Sequence, residues 1–375
     1  MQMGGREDPS REPPTCLTRA PSSPIACVAA ALAALALSGC GSDPETDARP
    51  LDVVATIGSV GIWPGQFATP RALDTDGSTL WVIDKAARIQ RLDAQTGAPL
   101  SEWKTPRHAN GMPVGVTCAV FDGRPLTFVA DTHEHRVLVY EPGSDPGSEA
   151  RIVAEFGSYG TGPGQFIYVT DVAVVADPSL GVRIYVSEYG GSDRVSVFNE
   201  RFEFLFSIGE FGTGEDPSRI EFNRPQALAI DEEARELIVV DACNHRIGRF
   251  TLEGDLIAWI GSPSTAGRKL GQFKYPYSIA LLDDGTALVV EYENARIQRI
   301  DMRTGRGIRT YGKPGRGPGE LVTPWSIAMV GRTAFVLDAG NNRVQAFRAP
   351  RPGQPRATEV ASLGALQAPD QKGRR

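Results

Sequence analysis

Six acidic residues, each followed by an arginine four to six positions later, are the most frequent candidates for acid–base chemistry in this 375-residue sequence. Each acid ends a short apolar run, so the six copies repeat one local arrangement. A catalytic centre needs different groups in one place, and six equivalent pairs indicate a structural role instead. The predicted structural pairs are Asp84 with Arg88, Asp131 with Arg136, Glu188 with Arg194, Asp241 with Arg246, Glu291 with Arg296, and Asp338 with Arg343.

A ligand site is predicted at the positions that differ between the six copies of the repeat, whereas the other positions of the repeat are similar in all copies. Each repeat has a proline, or its equivalent, before its first apolar stretch, and the residues just after it change from copy to copy. Aromatic rings supply contact area in ligand sites, and polar groups supply orientation. The alternative is ordinary surface variation. The predicted ligand-binding residues are Arg71, Thr170, Asp171, Gln226, Tyr277 and Trp325.

Metal-dependent catalysis finds little support among the four histidines. A catalytic zinc site takes three protein ligands and keeps a fourth position open. His133 and His135 flank Glu134 and could trap a metal adventitiously, whereas His245 belongs to an Asn-His-Arg motif and His108 lies between two repeats. We therefore predict no metal ligand and no cofactor. Calcium or zinc in a central channel stays open as an alternative.

Nucleophilic catalysis is not supported either. The sequence has no G-x-S-x-G motif, and the pairing of Cys243 with His245 looks incidental. The stretches GTGPG and GRGPG precede no expected helix, so they lack the helix N-terminus that binds phosphate. Cys118 and Cys243 fall at different positions of different repeats, which predicts two buried thiols and no disulfide. No catalytic residue is predicted, and an enzyme is the less favoured alternative.

The elements that must position these residues come from a sixfold repeat. The marker acids recur at intervals of about 50 residues. Within each copy, short stretches rich in Val, Ile, Leu and aromatic residues alternate with turn residues, which is typical of strands. Four strands in about 50 residues form one propeller blade. The sequence therefore predicts an all-β fold, a six-bladed β-propeller of four-stranded blades over residues 51–349.

The ring is predicted to close with the N-terminal strand. The last copy ends at its third strand, over 343–348, whereas the segment LDVVATIG at 51–58 has the pattern of a fourth strand. Their pairing would complete the sixth blade and leave no gap. The predicted ligand-binding residues then begin the innermost strands, at the mouth of the central channel.

These motifs resemble the NHL repeat family. The segments that carry the resemblance are GTGPGQF at 160–166, Asp241 with Asn244-His245-Arg246, and Asp338 with Asn341-Asn342-Arg343. The resemblance implies the propeller fold and leaves function open, because NHL propellers include sensor ectodomains, RNA-binding regulators and an amide lyase. In that lyase, zinc-binding histidines follow the proline of separate blades. None of the equivalent positions in this sequence is a histidine, which argues against the lyase chemistry.

The N-terminus is predicted to direct export. Residues 25–37 form an apolar run that is too short to span a membrane and is typical of a secretory signal. The run ends in Leu37-Ser38-Gly39-Cys40, which resembles a bacterial lipoprotein signal whose cysteine receives the lipid. We predict a signal peptide over 1–39, a tether over 40–50 and a disordered tail over 350–375.

Charge and export together direct the functional prediction. The net charge of −6 argues against a nucleic-acid partner, which would favour a basic surface. We predict a non-catalytic binding or scaffolding module, anchored to the bacterial cell envelope through lipid on Cys40 and located at the outer membrane in a Gram-negative host. The expected partner is a protein, peptide or glycan. The alternative is a metal-assisted lyase or lactonase-like propeller enzyme.

Overall fold

The structure, a computed structural model, describes residues 51–349 apart from 110, 111, 122, 144 and 146. The predicted signal peptide, lipidated cysteine, tether and tail therefore lie outside the described residues. The described part contains six sheets of four antiparallel strands and two short parallel strand pairs. Among the described residues, no helix is both long and apolar enough to cross a membrane.

Each sheet is one blade, and its first strand lies nearest the central channel. In order from the channel outwards, blade 1 has Pro70–Thr75, Thr79–Asp84, Arg88–Asp93 and Pro99–Lys104. Blade 2 has Gly115–Phe121, Arg124–Asp131, Arg136–Glu141 and Arg151–Phe156. Blade 3 has Tyr168–Asp177, Gly181–Tyr189, Arg194–Phe198 and Phe204–Ile208.

The second half of the ring repeats this order. Blade 4 has Pro225–Asp231, Glu236–Asp241, Arg246–Thr251 and Leu256–Gly261. Blade 5 has Pro276–Leu281, Thr286–Glu291, Arg296–Asp301 and Gly307–Tyr311. Blade 6 has Ser326–Val330, Thr333–Asp338, Arg343–Arg348 and Val53–Ile57.

Short elements occupy the connections between these strands. Glu210–Phe211 pairs with Glu221–Phe222, and Lys313–Pro314 pairs with Glu320–Leu321, in both cases in the loop that enters the next blade. Single 3-10 turns span Thr132–Glu134, Pro263–Thr265 and Ala339–Asn341.

The prediction of a six-bladed all-β propeller closed by the N-terminal strand is confirmed. Val53–Ile57 pairs antiparallel with Arg343–Arg348 and supplies the outer strand of blade 6. On the channel side, the first strands of blades 6 and 1 are in contact, and Ser326 Oγ donates a hydrogen bond to the Leu73 carbonyl oxygen at 3.0 Å. Blade 6 thus joins the two ends of the described chain.

The core lies between neighbouring blades. The second strand of a blade is covered on both faces, and Glu236–Asp241 and Thr286–Glu291 are buried at every position. One apolar cluster, for example, combines Ile238 and Val240 of blade 4 with Val289 of blade 5. These strands are therefore continuous apolar runs, because each side of the blade packs against another sheet and not against solvent.

The six acid–arginine pairs brace the loops that lead to the channel mouth. The structure forms a salt bridge in each predicted pair, with N–O distances of 2.6–2.9 Å. In blade 4, Asp241 also accepts a hydrogen bond from the Asn223 backbone nitrogen at 2.7 Å. Arg246 donates to the Glu221 carbonyl oxygen at 2.6 Å and lies over the Trp259 ring. The pair therefore fixes the segment that delivers Pro225 and the first strand.

Candidate functional site

The first strands of the six blades surround a cavity of about 110 Å³ at the centre of the ring. Of the six residues predicted to bind a ligand, Arg71, Asp171, Gln226, Tyr277 and Trp325 line this cavity. The structure therefore brings together side chains from blades 1, 3, 4, 5 and 6. We call the part of the cavity formed by Arg71, Gln226, Tyr277 and Trp325 the mouth.

Thr170, the sixth of these residues, is turned into the contact between blades 3 and 4. Its side chain is fully buried, and its hydroxyl oxygen lies 2.6 Å from the Pro225 carbonyl oxygen and 2.7 Å from Ser187 Oγ. Thr170 does not contribute to the cavity lining. Its hydrogen bond to the Pro225 carbonyl oxygen links blade 3 to blade 4.

Aromatic rings form one wall of the mouth. Tyr277 stacks on Tyr292, with ring centroids 4.6 Å apart. Tyr277 also makes an edge-to-face contact with Trp325, with ring centroids 4.9 Å apart. Tyr277 and Trp325 are each 4% exposed, so these two rings are largely shielded from solvent. The indole Nε1 of Trp325 has no hydrogen-bond partner among the described residues. A buried donor without an acceptor is unfavourable, and seven other buried side-chain atoms of the described residues also lack a hydrogen-bond partner, Trp103 Nε1 among them.

Two arginines cover the aromatic wall. The guanidinium carbon of Arg71 lies 4.1 Å from the centroid of the Trp325 ring. That of Arg224 lies 4.9 Å from the Tyr189 ring centroid and 5.6 Å from the Tyr277 ring centroid. These distances are within the range of cation–π attraction. Arg224 Nε also donates to Gln226 Oε1 at 3.0 Å, which fixes the orientation of the guanidinium group.

Two carboxyl groups line the same cavity. Asp74 accepts a hydrogen bond from the Cys118 backbone nitrogen at 2.7 Å, and Asp171 accepts one from the Leu228 backbone nitrogen at 2.9 Å. Burial raises the pKa of Asp74 to about 7, with a smaller contribution from the neighbouring Asp76. Burial likewise raises the pKa of Asp171 to about 7, with a smaller contribution from the charge of Asp74. Near neutral pH, both groups are poised between the neutral and charged forms.

Hydrogen bonds between blades explain part of the variation at the predicted site. Asp171, Ser278 and Ser326 occupy the second position after the proline or its equivalent, and each side chain bonds to the backbone of the next blade. Gly115 stands at the same position in blade 2. There, a Cβ atom would lie 2.2 Å from the Thr170 carbonyl oxygen. This position therefore serves contact between blades as well as the cavity.

Asp74 lines the cavity, and Arg224 and Tyr292 contact Tyr277 beside it; all three residues were missed in the sequence. Arg224 immediately precedes Pro225, and its backbone is left-handed with φ of 59°. Such a conformation is uncommon for a residue other than glycine. It recurs before the proline at Thr69 and Tyr275, so it is a property of the repeat. The available signal was the residue type before each proline, because arginine stands there only in the fourth copy.

The histidines and cysteines do not form a zinc site. The described residues contain no group of three or more His, Cys, Asp or Glu side chains able to hold a metal ion. The His135 ring contacts the Ile167 carbonyl oxygen through Nδ1, and His245 Nδ1 accepts a hydrogen bond from the Tyr275 backbone nitrogen at 3.1 Å. The side chains around the cavity therefore do not fit the histidine zinc centre implied by the lyase resemblance.

The two cysteines of the propeller are reduced thiols in the structure. Cys118 and Cys243 are each half-buried as whole residues, so the prediction that both are buried is wrong in degree, but the thiol group of Cys118 itself is enclosed. Cys118 lies in the first strand of blade 2, at the contact with Asp74 of blade 1. Burial raises the pKa of the Cys118 thiol well above its usual value, which keeps this thiol protonated and unreactive.

Comparison with known proteins agrees with the propeller fold. Residues 222–250, which include Arg224, Asp241 and Arg246, match the family model of the NHL repeat. A probable peptidyl-alpha-hydroxyglycine alpha-amidating lyase of Caenorhabditis elegans is 27% identical over 128 residues, which cover 34% of this chain and 36% of the relative. The chain thus spans about a third of the length of that curated relative.

Solved structures show the same architecture. A structural genomics protein of unknown function from Bacteroides thetaiotaomicron is 15% identical, with a TM-score of 0.56, over 78% of this chain and 76% of that chain. A chain of the hydrazine synthase of Kuenenia stuttgartiensis is 14% identical, with a TM-score of 0.50, over 77% of this chain and 98% of that chain. At this identity the likeness concerns the fold alone.

Proposed function

We propose that this chain is a non-catalytic binding or scaffolding module of the NHL propeller type and that the mouth is its ligand site. In this proposal it is exported, anchored to the cell envelope through lipid on Cys40, and engages a protein, peptide or glycan. In a Gram-negative host the proposed location is the outer membrane. The scaffold repeats six times, whereas the mouth does not, and that contrast suits a module that presents one specific surface.

One observation carries the proposal. Tyr277 and Trp325 line the cavity at positions that differ between the repeats, and the indole N–H of Trp325 has no acceptor among the described residues. This indole is 4% exposed, lines the cavity and lies beneath the guanidinium group of Arg71. In this proposal a bound ligand supplies the acceptor that this donor lacks. Rigid aromatic side chains then add contact area at a low cost in conformational entropy.

The ligand site can be tested by thermal denaturation in the presence of acetylated tripeptides and simple sugars. At least one probe should raise the melting temperature of the wild-type protein, since a ligand that binds only the folded state stabilises it. The shift should be lost in Tyr292→Ala, which removes the ring stacked on Tyr277. It should persist in Arg303→Gln.

Arg303 is the matched control because it is exposed and lies in the turn between the third and fourth strands of blade 5, on the opposite face of the ring. Absence of any shift in the wild-type protein, or equal shifts in Tyr292→Ala and Arg303→Gln, would contradict a ligand site at the mouth.

A metal-assisted lyase or lactonase-like enzyme is the second candidate, favoured by the similarity to the amidating lyase. The cavity residues do not offer a zinc site, and Asp74 and Asp171 are the acidic groups that line the cavity. Elemental analysis and melting with and without a chelator separate the two candidates. One tight zinc or calcium ion per chain, with loss of stability on chelation, would support the enzyme. No stoichiometric metal and an unchanged melt would support the binding module.

The proposed anchor has its own test. Growth of an expressing bacterium with labelled palmitate should label the wild-type chain, and Cys40→Ser should abolish the label. Cys27→Ser is the matched control, since this cysteine lies inside the predicted signal. Equal labelling of wild-type protein and Cys40→Ser would contradict lipidation at Cys40.

A further inference from the structure

Two arginines determine the charge at the mouth of the propeller. Several buried arginines elsewhere in the ring are paired with carboxylates, for example Arg246 with Asp241 and Arg249 with Glu236, whereas the buried Arg91 donates to the Ser148 carbonyl oxygen. Arg71 and Arg224 are half-buried, and neither has an ion-pair partner among the described residues. Charges removed from water are normally paired. Two unpaired arginines on one aromatic wall therefore form a positive site.

The nearby acids do not neutralise these arginines. Asp193 accepts a hydrogen bond at 2.6 Å from the backbone nitrogen of Arg224 and not from its guanidinium group. Asp74 and Asp171 are bound to backbone nitrogens of the next blades, and their raised pKa values keep much of their charge suppressed at pH 7. An anionic ligand would thus meet two cations and little opposing charge.

The donor geometry favours a group with several acceptor oxygens. Arg71 and Arg224 flank the Tyr277–Trp325 pair, and Trp325 Nε1 adds a neutral donor that has no partner among the described residues. A guanidinium group presents several N–H donors in one plane, which matches the two oxygens of a carboxylate. Bonds of this kind are stronger than bonds between neutral groups.

The size of the cavity limits what can enter it. Its volume of about 110 Å³ is smaller than the roughly 300–1,000 Å³ of pockets that enclose a whole small molecule. It is comparable to the roughly 150 Å³ cavity that holds one benzene ring. The mouth therefore accommodates one end of a ligand, and the remainder would lie over the loops around it.

We propose that the mouth binds the carboxylate end of a ligand, held by Arg71 and Arg224 and oriented by the Trp325 indole N–H. This inference rests on the proposed function and specifies its ligand class. The shared chemistry is a carboxylate, and its source is either the C-terminus of a peptide or an acidic sugar. Arg71 and Arg224 are the specificity-determining residues, and Tyr277 and Tyr292 form the wall that supports them.

Calorimetric titration of the purified protein tests the proposal with two matched pairs of probes. The first pair is acetyl-trialanine with a free C-terminus and its C-terminal amide. The second pair is glucuronic acid and glucose, and inorganic phosphate serves as a separate arm. We expect one carboxylate probe to bind at least about tenfold more tightly than its neutral partner, since one lost bond to a charged group has this effect or more. The pair that shows the difference identifies the source.

Variants connect this preference to the two arginines. Arg71→Gln and Arg224→Gln should each weaken binding of the preferred carboxylate by about tenfold or more. Arg71→Lys keeps the charge but loses the planar fork, and it should bind with intermediate affinity. If Arg71→Gln fails to fold, as judged from its melting temperature, Arg71→Lys takes its place as the test variant. Arg303→Gln, on the opposite face, should bind like the wild-type protein.

Three outcomes would overturn the proposal. They are neutral probes that bind as tightly as the acids, arginine variants with unchanged affinity, and binding of phosphate alone. If neutral probes bind at the mouth and Tyr292→Ala removes that binding, the binding module survives and the carboxylate inference fails. If no probe binds the wild-type protein, both fail.

Discussion

The guanidinium group of Arg71 in blade 1 lies over the indole ring of Trp325 in blade 6, with 4.1 Å between its central carbon and the ring centroid. The contact joins the first and last blades across the closure of the ring. It also places a cation beside an indole N–H that has no acceptor among the described residues. Ring closure and the candidate ligand site therefore meet at the same two side chains.

Trp325→Phe isolates the role of the indole N–H. Phenylalanine keeps a ring beneath Arg71 and removes an unsatisfied buried donor, so the free energy of unfolding should change by less than about 1 kcal/mol. Affinity for the preferred carboxylate probe should fall by about tenfold, because a bond to a charged acceptor is lost. Chemical denaturation and calorimetry measure the two quantities. Unchanged affinity with unchanged stability would remove Trp325 from the site.

The buried carboxyl groups predict how stability depends on pH. The pKa of Asp74 and that of Asp171 are about 7 in the folded protein, above the ordinary value of 3.8. A raised pKa means that the folded state holds the proton more tightly than the unfolded chain. The stabilisation is therefore full below about pH 4, and it is lost as the pH rises towards about 7.

Asp171→Asn tests this pH dependence. The asparagine keeps an oxygen that can accept from the Leu228 backbone nitrogen and cannot titrate. The decline in melting temperature between about pH 4 and pH 7 should become shallower. Asp216→Asn is the control, because this carboxyl is exposed and hydrogen bonds from Ser218 lower its pKa. An identical decline in wild-type protein and Asp171→Asn would show that Asp171 does not titrate in this range.

Much of the fold could be predicted because each blade repeats the same local pattern. The spacing of the marker acids predicted six blades, and the missing fourth strand of the last copy predicted the role of the segment at 51–58. The arginine after each marker acid is only a few residues away in sequence. The turn between the two strands brings it opposite the acid or close to it. In blade 4, for example, Asp241 and Arg246 are directly paired between adjacent strands.

The site was less accessible from sequence because its contacts join different blades. Thr170 and Asp171 are adjacent residues on one strand, yet Thr170 turns into the contact between blades and Asp171 lines the cavity. Arg224 reaches the mouth from the turn before Pro225, a position whose residue type has no pattern across the repeats. Which side chains meet at the mouth depends on the packing of the ring, and the repeat pattern does not encode it.

Asp241→Ala tests the structural role of the acid–arginine pairs. The change leaves Arg246 buried without its 2.9 Å partner, and it should lower the free energy of unfolding by roughly 3–5 kcal/mol. Glu203→Ala is the control, because the Arg201–Glu203 pair is exposed and its loss should have a much smaller effect on stability. Chemical denaturation compares the two. Equal, small effects would show that the buried pair is not structural.

Ile57→Ala tests the closing strand. Ile57 is 7% exposed and packs in the cluster between blades 6 and 1, so its truncation should lower the free energy of unfolding by about 2–5 kcal/mol. Val54 on the same strand is 49% exposed, and Val54→Ala should stay within about 0.5 kcal/mol of the wild-type value. Similar effects of the two substitutions would contradict a closing strand that is integral to the core.

The most direct test of the central claim is to locate a carboxylate in the protein. Crystals soaked in 3-bromopropionate allow the bromine to be found by its anomalous scattering. We expect a carboxylate in the mouth, within hydrogen-bond distance of Arg71 and Arg224, and no such peak in crystals of the Arg71→Gln variant. Bromine found only away from the mouth in the wild-type protein, or unchanged at the mouth in the variant, would contradict the assignment.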